Sequence, residues 1–136
     1  MGQILIVEDD RSFAEALAYT LGAEGHEVLV AAGANEAVAL AAACRPDVIV
    51  ADWSLGAGAH GGEVCRQVRF LCPNAKAIII TGHQDVARQA FRYCRCIEAV
   101  LAKPFHMEQI IAAVRRALST GVVLQQAVEP SSGVAV

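Results

Sequence analysis

Residues 48–52 read Val48-Ile49-Val50-Ala51-Asp52, four apolar side chains in a row closed by a carboxylate. A run this short and this uniformly apolar reads as a strand buried on both faces. The same grammar recurs on either side of it. Ile4-Leu5-Ile6-Val7 stops at Glu8-Asp9-Asp10, and residues 28–31 form another run. Residues 77–80 stop at Thr81-Gly82, and residues 99–102 stop at Lys103-Pro104. Between the runs, apolar residues recur at helical spacing: Phe13, Leu17, Thr20 and Leu21; Val38 and Ala41-Ala42; Val64, Val68 and Leu71; Val86, Ala90 and Phe91; Ile110, Ile111, Val114 and Leu118. Pro46, Pro73 and Pro104 fall in the connections, where a missing N–H does least harm. Five β-α units in series predict an α/β fold: a five-stranded parallel, doubly wound sheet with helices on both faces and right-handed crossovers.

The chain has 136 residues, which fits one domain, and 55% are apolar, enough to build a core. The formal net charge of -3 argues against a broad basic footprint, so no direct nucleic-acid partner is expected. No segment approaches the roughly 18 apolar residues of a membrane span, and no basic, apolar leader opens the sequence. Cys44, Cys65, Cys72, Cys94 and Cys96 are odd in number, and Cys94-x-Cys96 is not zinc spacing. The expectation is therefore a cytoplasmic protein with free thiols. Residues 1–120 read as the domain. Ser119-Thr120-Gly121 reads as a helix stop and residues 121–136 as a C-terminal tail or linker, with another helical turn or two over residues 122–128.

In an open parallel sheet, ligands bind outside the carboxyl ends of the strands. The residues that follow the runs are therefore neighbours: Glu8 and Asp9, Asp52, Thr81, and Lys103. Clustered carboxylates repel one another and call for a cation, and an all-oxygen set suits Mg²⁺. A carboxylate is also a nucleophile that forms an acyl phosphate, and phosphoryl transfer asks mainly for positioning and charge neutralisation. Mg²⁺, Lys103, and the Thr81 hydroxyl with backbone N–H groups would each take one phosphoryl oxygen. Asp10 is placed outside the metal shell, as a cap of the first helix.

Four motifs, in this order and spacing, resemble the response-regulator receiver family over about residues 3–118. They are Ile4-Leu5-Ile6-Val7-Glu8-Asp9-Asp10, Pro46-Asp47-Val48-Ile49-Val50-Ala51-Asp52, Ile78-Ile79-Ile80-Thr81-Gly82 and Lys103-Pro104-Phe105. The resemblance implies a flavodoxin-like strand order 2-1-3-4-5. It implies that Asp52 accepts a phosphoryl group and ligates Mg²⁺ together with Asp9, Glu8 through water, and the Ser54 carbonyl. Thr81, Gly82 and Lys103 would engage the phosphoryl group. The donor would be a histidine kinase or phosphotransfer protein. A downstream protein would meet the face of helix 4, strand 5 and helix 5, where Arg88, Arg92 and Arg95 gather, and a homodimer is a further expectation. Self-phosphotransfer and autodephosphorylation would be its only catalysis, so it would not be an enzyme on a separate substrate.

The sequence departs from the family in three places. Val100 stands where an aromatic switch residue is usual. The loop 56–62 is glycine-rich and lacks the usual proline. Cys94-Arg95-Cys96 precedes the fifth strand in place of Gly-Ala. Competing readings are weaker. Gly56-x-Gly58-x-x-Gly61 matches a dinucleotide fingerprint, but Asp52 to Leu55 separate it from its strand and no acid ends the next strand. An aspartyl-phosphate hydrolase of the haloacid-dehalogenase type would want an acid where Ser54 stands. The alternative function is a degenerate receiver serving as a phosphorylation-independent protein-binding module.

Overall fold

The structure, a computed structural model, describes residues 1–56 and 59–119. Five strands, β1 (Gln3–Val7), β2 (Glu27–Ala31), β3 (Val48–Asp52), β4 (Lys76–Thr81) and β5 (Ile97–Ala102), alternate with five helices. These are α1 (Arg11–Ala23), α2 (Ala34–Cys44), α3 (Gly61–Leu71), α4 (Val86–Tyr93) and α5 (Met107–Ser119). All strand pairs are parallel and the sheet order is β2-β1-β3-β4-β5, as the resemblance implied. The expectations for residues 120–136, and for the Gly58 step of the decoy fingerprint, lie outside the described residues.

Strand alternation sorts the core into two layers. Leu5, Val7, Ile49, Ala51, Ala77, Ile79 and Val100 face α2, α3 and α4. Ile4, Ile6, Val48, Val50, Ile78, Ile80 and Leu101 face α1 and α5. The central strands β1, β3 and β4 are buried on both faces, as their composition requires. The two edge strands correct that reading. Glu27 and Val30 of β2 are exposed, and Glu98 and Ala99 of β5 are half-buried, because an edge strand lacks a neighbour on one side.

Small shifts along the helices follow from the 100° step between residues. α2 buries Ala37 and Ala41, leaving Val38 half-buried and Ala42 exposed. α4 buries Val86 and Ala90, which turns Phe91 out to solvent. α1 is capped as expected: the Phe13 backbone N–H donates to Asp10 Oδ1 at 3.2 Å. Ile79 lies fully buried on central β4. Ile79→Ala is expected to cost about 2–5 kcal/mol, read as a lower urea midpoint at unchanged slope.

Candidate phosphoacceptor site

Parallel pairing brings the carboxyl ends of β1, β3, β4 and β5 to one edge of the sheet. Val7 stands in register with Ala51, Asp52 with Ile80, and Thr81 with Ala102. The next residues are tied down by backbone hydrogen bonds. Glu8 N donates to Ala31 O at 3.0 Å, Trp53 N to Ile80 O at 2.8 Å, and Lys103 N to Thr81 O at 2.7 Å. The acids, the hydroxyl and the ammonium named from the sequence therefore converge.

Glu8, Asp9 and Asp52 each place a carboxylate oxygen within 4.8 Å of the others. Glu8 and Asp52 are buried, at 3% and 7% exposure, whereas Asp9 is exposed. Lys103 Nζ donates to Asp52 Oδ2 at 2.9 Å and stands 3.8 Å from Glu8 Oε1. Asp52 Oδ1 accepts from Ser54 N at 3.0 Å, and Glu8 Oε2 accepts from Asp10 N at 3.0 Å. Glu8 Oε1 is buried with no hydrogen-bond partner. Burial pushes the Glu8 carboxyl up to about 7; the Asp10 N–H works against this and the negative charge of Asp52 adds to it. Lys103 is raised as well, for a different reason. Burial alone would lower it, but its hydrogen bond to Asp52 and the charges of Asp52 and Glu8 hold its ammonium above the ordinary range. An anionic, all-oxygen donor set with one orphaned buried oxygen fits a hard divalent cation.

Thr81 is buried at 1% exposure, and its hydroxyl is turned onto its own loop. It accepts from His83 N at 3.0 Å and donates to His83 O at 3.3 Å. Gly82 is exposed, with open space where a side chain would stand, so the approach to Thr81 is clear. Ser54 is exposed and enters the site through its backbone.

Several residues that shape the site carry little signal in sequence. Lys103 Nζ lies 4.6 Å from the centre of the Phe13 ring, and Phe13 meets Phe105 edge-on at 6.0 Å. The periodicity of α1 marks Phe13 only as a core position. Gly56 has φ +76°, and a Cβ there would stand 3.3 Å from Asp9 Oδ2. A Cβ on Gly61 would overlap the Asp52 carbonyl oxygen, and one on Gly62 would lie 2.8 Å from Trp53 Cζ3. Gly61 and Gly62 thus let α3 close against the end of β3 and the Trp53 ring. Trp53 is a packing residue, stacked on His60 at 4.6 Å and edge-on to Tyr93 at 5.9 Å. His60 caps α3 by accepting from Glu63 N at 3.4 Å.

The sequence profile described as the response regulator receiver domain matches residues 4–115. The chain belongs to this family. It is 33% identical over 116 residues to the response regulator MprA of Mycolicibacterium vanbaalenii, covering 85% of this chain and 50% of that protein. This receiver therefore spans about half the length of the curated relatives it matches. A response regulator of Burkholderia pseudomallei, solved with a phosphorylated aspartic acid, a calcium ion and citrate, is 30% identical with a TM-score of 0.76. That match covers 87% of this chain and 69% of the other. NtrX of Brucella abortus, solved with ATP, is 27% identical with a TM-score of 0.80, covering 88% of this chain and 27% of that one.

The free energy stored in Glu8 gives a pH signature. A carboxyl whose folded pKa lies above its unfolded value favours the fold below about 4.5 and loses that contribution as pH rises through about 7. In EDTA at pH 8, Glu8→Gln is expected to melt higher than the wild type by about 4 °C, the order of shift that about 1 kcal/mol produces. The gap should close near pH 4.5. Added Mg²⁺ should raise the melting temperature of the wild type at pH 8 more than that of the variant. A variant that melts lower than wild type at pH 8 in EDTA would contradict the strain assigned to Glu8.

Proposed function

We propose that this receiver is a phosphorylation switch in which Asp52 accepts a phosphoryl group from a histidine kinase or phosphotransfer protein, with Mg²⁺ bound by Glu8, Asp9, Asp52 and the Ser54 carbonyl. The observation that carries this reading is the pairing of Asp52 Oδ2 with Lys103 Nζ at 2.9 Å beside the orphaned buried oxygen of Glu8. The phosphorylated aspartic acid of the Burkholderia relative supports it.

Bound Mg²⁺ supplies positive charge against the three carboxylates and the incoming phosphoryl oxygens. Asp52 Oδ attacks phosphorus, the P–N bond to the donor imidazole breaks, and the released ring nitrogen keeps the electron pair and takes a proton. Lys103 follows the developing negative charge from its seat on Phe13. The Thr81 hydroxyl exchanges His83 for a phosphoryl oxygen, and Gly82 leaves that path open. Water later hydrolyses the acyl phosphate, so the catalysis is confined to the domain's own turnover and the chain is not an enzyme on a separate substrate.

The output partner is a protein that meets the face of α4, β5 and α5; neither nucleic acid nor membrane is contacted directly. Among the described residues no helix is long and apolar enough to cross a membrane. A cytoplasmic location fits the phosphodonor proposed. A homodimer through the same face is one form that the output can take. Val100 is a buried aliphatic residue packed in the α2, α3 and α4 layer. Transmission to the output face therefore runs without an aromatic rotamer change at this position.

Incubation with acetyl phosphate and Mg²⁺, followed by intact mass, is expected to add one phosphoryl group to the wild type. EDTA or Asp52→Asn should abolish the adduct, and Lys103→Ala should slow its formation by at least about tenfold, the effect of about 1.4 kcal/mol on the barrier. No adduct on the wild type, together with no response to beryllofluoride, would overturn the switch and favour the phosphorylation-independent binding module.

A further inference from the structure

Cys94 and Cys96 carry chemistry that phosphoryl acceptance does not use. Cys94 caps α4 with extended backbone, φ −154° and ψ 134°, and Cys96 stands immediately before β5. Arg95 and Cys96 form a turn, closed by the hydrogen bond from Ile97 N to Cys94 O at 3.2 Å, and the turn folds the chain back so that the two cysteines approach. The two Cα atoms are 5.2 Å apart and the sulfurs are bonded as a disulfide, which corrects the expectation of five free thiols. Cys44, Cys65 and Cys72 remain free.

The pair is asymmetric. Cys96 is buried and Cys94 half-buried. Cys94 lines a cleft of about 850 Å³ between α2 and α3, whose wall also carries Arg66 and Arg69. The Cys96 backbone N–H donates to Cys94 Sγ at 3.3 Å. Cys94 is therefore the sulfur that a small oxidant can reach from solvent, whereas Cys96 is reached only through it. The free thiols differ. Cys65 is fully buried and pushed up to about 12 by that burial, and Cys72 is raised by the same cause. Cys44 is the last residue of α2.

The bond also has a mechanical position. Cys96 O accepts from Ala77 N at 2.8 Å, which anchors it to β4, and Cys94 O accepts from Ile97 N at 3.2 Å. Tyr93, next to Cys94, lies edge-on to Trp53 and to His60, at 5.9 and 4.8 Å. Trp53 directly follows Asp52.

We propose that Cys94 and Cys96 form a reversible thiol–disulfide modification site for a peroxide-class oxidant, with Cys94 attacking and Cys96 resolving, which ties the end of α4 to the start of β5. The Cys94 thiolate attacks one peroxide oxygen. The O–O bond breaks, hydroxide leaves and is protonated to water, and Cys94 becomes a sulfenic acid. The Cys96 sulfur then attacks Cys94 Sγ, the S–O bond breaks, and a second water leaves with the Cys96 proton. Two thiols and one hydrogen peroxide become one disulfide and two waters, the two electrons passing from sulfur to oxygen. A dithiol reverses the step by exchange, becoming a disulfide itself. In a reducing compartment such a bond is transient and suits sensing.

The test takes the full chain, reduced with dithiothreitol, desalted and exposed to hydrogen peroxide. Remaining thiols are blocked with N-ethylmaleimide under denaturing conditions and the protein is digested with trypsin. Cleavage after Arg92 and Arg95, and none before Pro104, puts the two sulfurs on separate peptides, 93–95 and 96–115. Those peptides are expected to run joined after peroxide and to separate after dithiothreitol, while Cys44, Cys65 and Cys72 carry the blocking group. In Cys96→Ser, Cys94 should trap dimedone as a sulfenic acid; in Cys94→Ser, Cys96 should not. Both peptides recovered singly and blocked after peroxide would overturn the proposal. So would linkage to another cysteine or to a second chain, or dimedone on Cys96 in place of Cys94.

Discussion

The repulsion between buried carboxylates at one end of a parallel sheet is the constraint around which this receiver is arranged. Glu8 and Asp52 are held there by strand register and sit almost out of water. Charges so placed are costly unless a counter-charge shares their space. Lys103 supplies one, reaching Asp52 at 2.9 Å, and Phe13 supports the ammonium from below. The compensation is incomplete, because Glu8 Oε1 keeps no hydrogen bond. That deficit leaves the edge short of positive charge, and the switch proposed above rests on it.

The two core layers divide the labour around this edge. Val48 and Val50 share a parity with Asp52 and belong to the α1 and α5 layer, which also supplies Phe13 and Phe105 around Lys103. Trp53 points to the other layer, where it meets His60 and Tyr93. Successive residues of one strand end therefore address opposite sides of the molecule. Asp52 handles the charge, and Trp53 touches the end of α4. This aromatic contact joins the loop after β3 to the end of α4, and the Cys94–Cys96 bond lies beside it.

Much of the fold was legible because period and punctuation agreed. Uniform apolar runs of strand length marked β1, β3 and β4, and the prolines and polar closures marked their ends. The same runs misread β2 and β5 as buried on both faces, because composition does not say which strand lies at an edge. Strand order itself came with the family likeness and not from the residues. Within the site, Glu8, Asp9, Asp52, Thr81 and Lys103 were legible from their place after each run. Gly56, Gly61, Gly62 and Phe13 were not, since their roles depend on what stands opposite them in space. The cysteines were read as free thiols, because two residues of separation reveal nothing of the turn that brings the sulfurs together.

By itself the sequence determined the alternation of strand and helix, the apolar faces, and the presence of three acids, a hydroxyl and an ammonium at strand ends, since local period and side-chain chemistry suffice for these. Only the tertiary structure decided how charge is distributed among them. Burial raises Glu8, the hydrogen bond from Lys103 engages Asp52, and Thr81 rests on His83. Those are properties of distance and solvent exclusion between groups far apart in the chain, and neither quantity exists until the sheet has closed.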